Sequence, residues 1–220
     1  DAWIWGLALP SESVANLFCF TVHMSCENDW APYHAGRGIN RNLYYFAGKD
    51  VWKTLFDPEA MRPGMVLLSA QAPAGDPAWC DVVTLMTPVA TRPWEAWEGS
   101  APGRRPEAYT ALKAAMTQAT VDFACARLPE LRDAIAHTYA ATPLTYRHYT
   151  GAPHGAAYGL LKDCRSIMAS HIPARTKFEN LLLTGQNLTV HGAIGVTLSA
   201  AATCSEIVGT EYLAKKIANA

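Results

Sequence analysis

Apolar residues along the chain fall into runs of different period. Val14–Ser25 (VANLFCFTVHMS), Leu43–Phe46, Met65–Gln71 (MVLLSAQ) and Asp81–Pro88 (DVVTLMTP) are short and rich in β-branched or aromatic residues. Each predicts a strand. Residues 72–77 hold Pro, Gly and Asp between the last two runs, so these two predict an antiparallel pair. Trp30–Asn42 reads as loop. From Pro106 to Arg127, Tyr109, Leu112, Met116, Ala119 and Phe123 recur at steps of three and four, the spacing of one helical face. Pro106 suits a first helical turn and Pro129 ends the segment. Ile135–Ala141 reads as a further strand. Thr142–Asp163, with Pro143, Gly151, Pro153, Gly155 and Gly159, reads as loop. Asn180–Thr184 (NLLLT) is a continuous apolar run that predicts a strand buried on both faces. A helix then opens at Gly192 and Gly195 and extends to about Ile217. Its expected inner face is Ile194, Leu198, Ala201, Ser205, Val208 and Tyr212.

Composition narrows the class. A length of 220 residues allows one large domain or two small ones, and 50% hydrophobic residues can build a real core. Charged residues are only 17%, below the usual quarter. The surface is therefore apolar, or part of it is a face that another segment covers. Such a surface is compatible with peripheral membrane contact. A net charge of -1 with no Lys/Arg stripe argues against nucleic acid as a partner. Six cysteines without a Cys-x-x-Cys pair read as reduced thiols in a cytoplasmic protein. The residues from Asp1 onward do not form a signal peptide, and the chain is expected to be a piece of a longer protein. Leu181–Ser205 has no charged side chain but holds Gln186, Asn187 and His191, which is too polar for a membrane span. The seven histidines show no His-Glu-x-x-His spacing and no Cys/His cluster, so no metal site is expected. Ser199 has no Gly-x-Ser-x-Gly frame to support hydrolase chemistry. Trp94 and Trp97, three apart, are expected in the core.

The chemistry concentrates in NLLLTGQNLTVHGAIGVTLSAAATCSEIVG, residues 180–209. A glycine directly after a buried strand lets another group approach the backbone. A helix opening at Gly192 presents unpaired N–H groups and partial positive charge, which suit an anion or an electron-rich ring edge. In an extended Thr142–Gly159 segment, Tyr146 and His148 would share one face and line a pocket.

This stretch resembles the C-terminal flavin motif of the phytoene desaturase, carotenoid isomerase and retinol saturase family. TPLTYRHYTGAPHGAAYG, residues 142–159, resembles the segment those enzymes carry just upstream. The resemblance implies an α/β (α+β) protein. It would have a mixed-sheet substrate domain, residues 1–175, and a C-terminal strand–helix piece of a Rossmann-like FAD-binding domain, residues 176–220. It implies FAD as cofactor. Gly185 and Gln186 would lie at the ribityl or phosphate part, with Gln186 where many members have Asp. Gly192, Ala193, Ile194 and Gly195 would lie at the flavin pyrimidine edge. His191, directly before this helix start, is expected to hydrogen-bond there, and Tyr158 to join Tyr146 and His148 in the substrate pocket. The implied reaction desaturates, saturates or isomerises carbon–carbon double bonds of an apolar isoprenoid or polyene. Amine-oxidase-like or porphyrinogen-oxidase-like chemistry, and a lipid-binding module without cofactor, are the alternatives. The chain has no Gly-x-Gly-x-x-Gly: Gly36 and Gly38 are followed by Arg41 where the third glycine belongs. That turn clamps the pyrophosphate, so it is expected in an N-terminal FAD-binding segment of the parent chain.

Overall fold

A computed structural model describes residues 3–4, 7–8, 19–26, 43–47, 63–71, 82–158, 160, 162 and 167–219. The expected strand residues 14–18, the 30–42 loop with Gly36 and Gly38, the 72–77 turn and Gly159 lie outside them. The chain divides into two compact units, Phe18–Gly155 and Ala156–Ala220 together with Asp1–Leu17. A two-strand antiparallel pair, β1 (Trp3–Ile4) and β2 (Leu7–Ala8), belongs to the second unit.

The first unit is built on β3 (Cys19–Cys26), β4 (Leu43–Phe46), β5 (Met65–Gln71), β6 (Val82–Pro88) and β7 (Ile135–Ala141), in the order β4-β5-β6-β3-β7. Every pairing is antiparallel. The expected mixed sheet is thus corrected for the described strands. β4, β5 and β6 succeed one another as an up-and-down meander, and β3 runs opposite to both β6 and β7, so no parallel crossover is needed. Alternation along β5 and β6 puts Val66, Leu68, Val83, Leu85 and Thr87 on a fully buried face. Leu68 stands opposite Leu85 in the register.

Helix α1 is Arg92–Glu95 and helix α2 is Glu107–Cys125. α2 contributes Tyr109, Met116, Thr120, Val121, Ala124 and Cys125 to the same core. Burying each large apolar side chain stabilises by roughly 1.5–3 kcal/mol. Trp94, 2% exposed, and the half-buried Trp97 meet Tyr109 edge-on, both at 5.7 Å between ring centroids. The two tryptophans are therefore core packing. The short helix α3 (Leu131–Ala134) leads into β7.

Thr142–Thr150 is not loop. Pro143–Thr150 forms helix α4, with a reciprocal capping box between Thr142 and Thr145 and a left-handed Gly151 closing it. Cap, first-turn proline and terminal glycine together outweigh the local turn signals. A single 3-10 turn follows at Pro153–Gly155.

The second unit contains helix α5 (Ile167–Ser170), helix α6 (Gly192–Val208) and helix α7 (Thr210–Ala218). Two expectations are corrected here. Asn180–Thr184 is not a strand buried on both faces: Leu181 is 43% exposed, and the segment makes one bridge, Leu182 to Arg175. A strand buried on both faces needs a sustained ladder, and among the described residues this segment has only the Arg175 bridge and the Leu183 N–H to Ala174 O bond beside it. The expected single helix to Ile217 breaks at Gly209, which has φ +86° and ψ 141°. The expected inner face also turns outward. Ile194, Leu198, Val208 and Tyr212 are exposed, whereas Gly195 and Ser199 are buried.

Candidate functional site

The helix start of α6 is seated on the loop that precedes it. Leu183 N–H donates to Ala174 O at 2.8 Å, and Ile172 N–H donates to Leu188 O at 3.1 Å. Thr203 Oγ1, two turns below Gly195 on the same helix face, donates to Leu183 O at 2.7 Å. Arg175 Nε donates to Glu206 Oε2 at 2.7 Å. Leu160, Ile172 and Leu188 form a small apolar centre beneath. These contacts fix Gly185–Val190 as a turn, with Leu188 N–H donating to Gly185 O at 3.3 Å.

On this seat the sequence-predicted residues occupy distinct positions. Gly185 has φ +112° and Gly192 has φ +77°, both left-handed, and a Cβ at either would meet no atom within 4 Å. Gln186 is half-buried beside Gly185. Gly195 differs: its Cβ would stand 2.2 Å from Val190 O. The missing side chain at Gly195 is used by the chain's own turn. Ala193 and Ile194 are exposed, Ile194 to 77%.

His191 is the N-cap of α6 but its side chain makes no cap hydrogen bond. Both ring nitrogens are buried without a partner among the described residues, and so is Ser199 Oγ. An unsatisfied buried polar group costs about 1–3 kcal/mol. The Tyr158 ring lies tilted against the His191 ring, with centroids 5.8 Å apart. The second unit therefore brings Tyr158, His191 and the Gly192 helix start together. An orphaned imidazole, a helix N-terminus and a side-chain-free Gly192 fit a polar, electron-rich ring edge of the kind a flavin presents.

Tyr146 and His148 belong to the first unit. They do not share a face: on α4, at 3.6 residues per turn, residues two apart point to opposite sides. Tyr146 is half-buried, and His148 is exposed with its ring edge on Tyr149. Next to them, Arg147 Nη1 donates to Glu98 Oε2 at 2.6 Å and His154 Nδ1 lies 3.3 Å from Glu98 Oε1. Burial works to raise the Glu98 pKa, but Arg147 and His154 outweigh it and hold the carboxyl below its ordinary range. This cluster carried no motif in the sequence, because its members lie 49 or more positions from Glu98.

Among the described residues, no group of three or more His, Cys, Asp or Glu is placed to hold a metal ion. No described helix is long and apolar enough to cross a membrane. Of the cysteines, Cys125 is a buried free thiol, its pKa raised by burial, and Cys204 is an exposed one.

The geometry is that of a turn–helix element with an unpartnered imidazole, among the described residues, at the helix start. No family profile matches the chain. It is 30% identical over 160 residues to the all-trans-retinol 13,14-reductase of Homo sapiens, covering 68% of this chain and 26% of that protein. It is 31% identical over 153 residues to that of Macaca fascicularis, covering 65% of this chain and 25% of that protein. A Danio rerio protein named inactive all-trans-retinol 13,14-reductase is 30% identical over 104 residues, 46% of this chain and 17% of that protein. The chain thus spans about a quarter of the length of the retinol reductases it matches.

Proposed function

We propose that this chain is the C-terminal portion of an FAD-dependent oxidoreductase that acts on a carbon–carbon double bond of an apolar, retinoid-like substrate. The observation that carries this is His191: two buried ring nitrogens, unpartnered among the described residues, at a helix start that opens on Gly192. The similarity to retinol 13,14-reductases supplies the reaction class. Reduction of the double bond is favoured over desaturation or isomerisation by those relatives' names.

When bound, FAD would supply the hydride chemistry. His191 and the first N–H groups of α6 would meet the flavin's polar edge, and Gln186 the ribityl hydroxyls. Preorganised donors of this kind stabilise developing negative charge. Gly185 and Gly192 would leave room for close approach, Ala193 and Ile194 would face the ring, and Gly195 would seat the turn. A pyrophosphate-binding turn would come from an FAD-binding segment outside these 220 residues. The 1–175 portion would contribute to substrate binding, with the half-buried face of β5 and β6 (Leu67, Ser69, Thr84, Met86) as an apolar-to-hydroxyl surface. The 176–220 portion would contribute to the cofactor. Along the chain, the division between the two compact units falls at Gly155/Ala156, so the 1–175 portion draws on both. Tyr158, beside His191, is the better supported of the three pocket residues. A cytoplasmic protein that touches membranes peripherally suits an apolar substrate.

The test is to purify the full protein as its gene encodes it, reconstitute it with FAD, and supply all-trans-retinol and a reductant. A flavin absorption spectrum and a product heavier by two hydrogens are expected. Failure to take up FAD would overturn the reading. A second reading rests on the inactive zebrafish relative: FAD uptake without turnover of any retinoid would favour a binding protein that kept the fold.

A further inference from the structure

The Gly185–Val190 turn has an anchor that no motif points to. Lys162 Nζ donates to Ser170 O at 2.5 Å, to Asn187 O at 2.7 Å and to Leu188 O at 3.1 Å. Two residues earlier, Leu160 N–H donates to Asn187 Oδ1 at 3.0 Å. Leu160 and Lys162 therefore grip the turn at three atoms of two adjacent residues. Asn187 and Leu188 sit between Gln186 and His191, so this grip sets where both of those side chains stand.

The chemistry of the grip is specific. An ammonium has three N–H donors, and all three meet carbonyl oxygens. No carboxylate among the described residues pairs with it. Burial lowers the Lys162 pKa, and the three carbonyls oppose that by favouring the charged form. Lys162 is half-buried, and a partly desolvated cation with no carboxylate partner among the described residues is a costlier tie for a loop than a neutral amide. It adds positive charge to a helix start that is already partly positive.

We propose that Lys162 is a positioning residue of the candidate cofactor site: it holds Gln186 and His191 in place through the Asn187–Leu188 carbonyls and adds positive charge behind the turn. This rests on the FAD reading above. The ligand favoured by such charge is electron-rich or anionic at the edge that faces the helix start.

The experiment uses the full protein stripped of flavin, as wild type, Lys162→Met and Lys162→Gln. FAD affinity is titrated by quenching of flavin fluorescence, at a temperature where circular dichroism shows each protein folded. Melting without FAD is measured on the same samples. Lys162→Met is expected to weaken FAD binding at least tenfold. Lys162→Gln keeps amide donors without charge and is expected to weaken it less, but measurably. Wild-type affinity in a folded Lys162→Met, whatever its melting temperature, would overturn the assignment. Where Lys162→Met does not fold, Lys162→Gln decides by the same criterion, and if neither folds the lysine is a folding residue and the assignment falls. No FAD binding by wild type would instead overturn the FAD reading, and the role of Lys162 with it.

Discussion

Two glycines three positions apart have opposite reasons to be glycine. At Gly195 a Cβ would collide with the Val190 carbonyl at 2.2 Å, a backbone atom that cannot swing aside. At Gly192 the space is open, but φ is +77°, and a left-handed backbone costs an L-residue about 1–2 kcal/mol. Gly195→Ala is therefore expected to lower the melting temperature and to disturb the turn that carries Gln186. Gly192→Ala is expected to cost less stability and to act chiefly on FAD uptake. Melting curves and flavin occupancy measured on both variants check this, and equal melting losses would refute the distinction. At the same scale, Glu98 gives a pH effect with a defined sign. Its folded pKa is depressed, so the folded protein binds fewer protons there than the unfolded chain. Its contribution is present above the ordinary carboxyl pKa and lost as pH falls through the folded value. Glu98 and Arg147 are 28% and 43% exposed, so screening keeps the effect small. Glu98→Gln should lower the melting temperature slightly at pH ~7, and the difference from wild type should shrink as the pH is lowered through the acid range. Single residues were legible in the sequence only where a motif framed them. His191 and the glycines stood in such a frame, whereas Lys162 and Glu98 work through partners distant in sequence.

Elements were legible where local signals and tertiary packing agree. β4 and β5 run over the residues that their β-branched and aromatic content marks, and α2 follows its stripe of three- and four-residue steps. The misread elements are those whose outcome depends on something nonlocal or on competing signals. NLLLT has strand composition, but hydrogen-bonded neighbours make a strand, and its one described bridge is to Arg175. The α6–α7 pattern stayed periodic through Gly209, and the glycine broke it. Pro143–Thr150 was masked by downstream Gly and Pro, although Thr142 and Pro143 already form a helix-start signature. That cap has a measurable weight. Thr142 is fully buried, its hydroxyl bonds the Tyr109 hydroxyl at 2.9 Å, and it caps the Thr145 N–H. Thr142→Ala removes the cap, worth about 0.5–2 kcal/mol, and leaves Tyr109 OH with one partner fewer. We expect a loss of about 2 kcal/mol in denaturant unfolding, with Thr142→Ser close to wild type. A loss below about 0.5 kcal/mol would show that the cap does not hold α4.

For the molecule as a whole, the strongest feature of the second unit is how little of its longest helix is covered. α6 has a single charged residue, Glu206, yet Ile194, Val196, Leu198 and Ile207 are 77%, 41%, 56% and 71% exposed. A helix that is apolar on most sides is normally buried, and an exposed apolar surface of this kind marks an interface. Leu181 and Val190, beside the candidate site, are exposed as well. In the FAD reading both needs have one answer: the segment that holds the pyrophosphate also supplies the neighbours for 180–184 and the cover for α6. Much of FAD's affinity comes from the pyrophosphate turn and its helix dipole, and this sequence has no Gly-x-Gly-x-x-Gly. The 220-residue chain expressed alone should therefore bind FAD only weakly, and it should bind an apolar fluorescent dye through the exposed helix face. Adding the remaining segment of the parent protein should raise FAD affinity by orders of magnitude and displace the dye. Fluorescence titrations of the chain alone, and of the two pieces together, measure both effects. Sub-micromolar FAD binding by the chain alone would mean that these residues hold the cofactor unaided. Dye binding that persists in the reassembled protein would mean that the α6 face is left for a different partner.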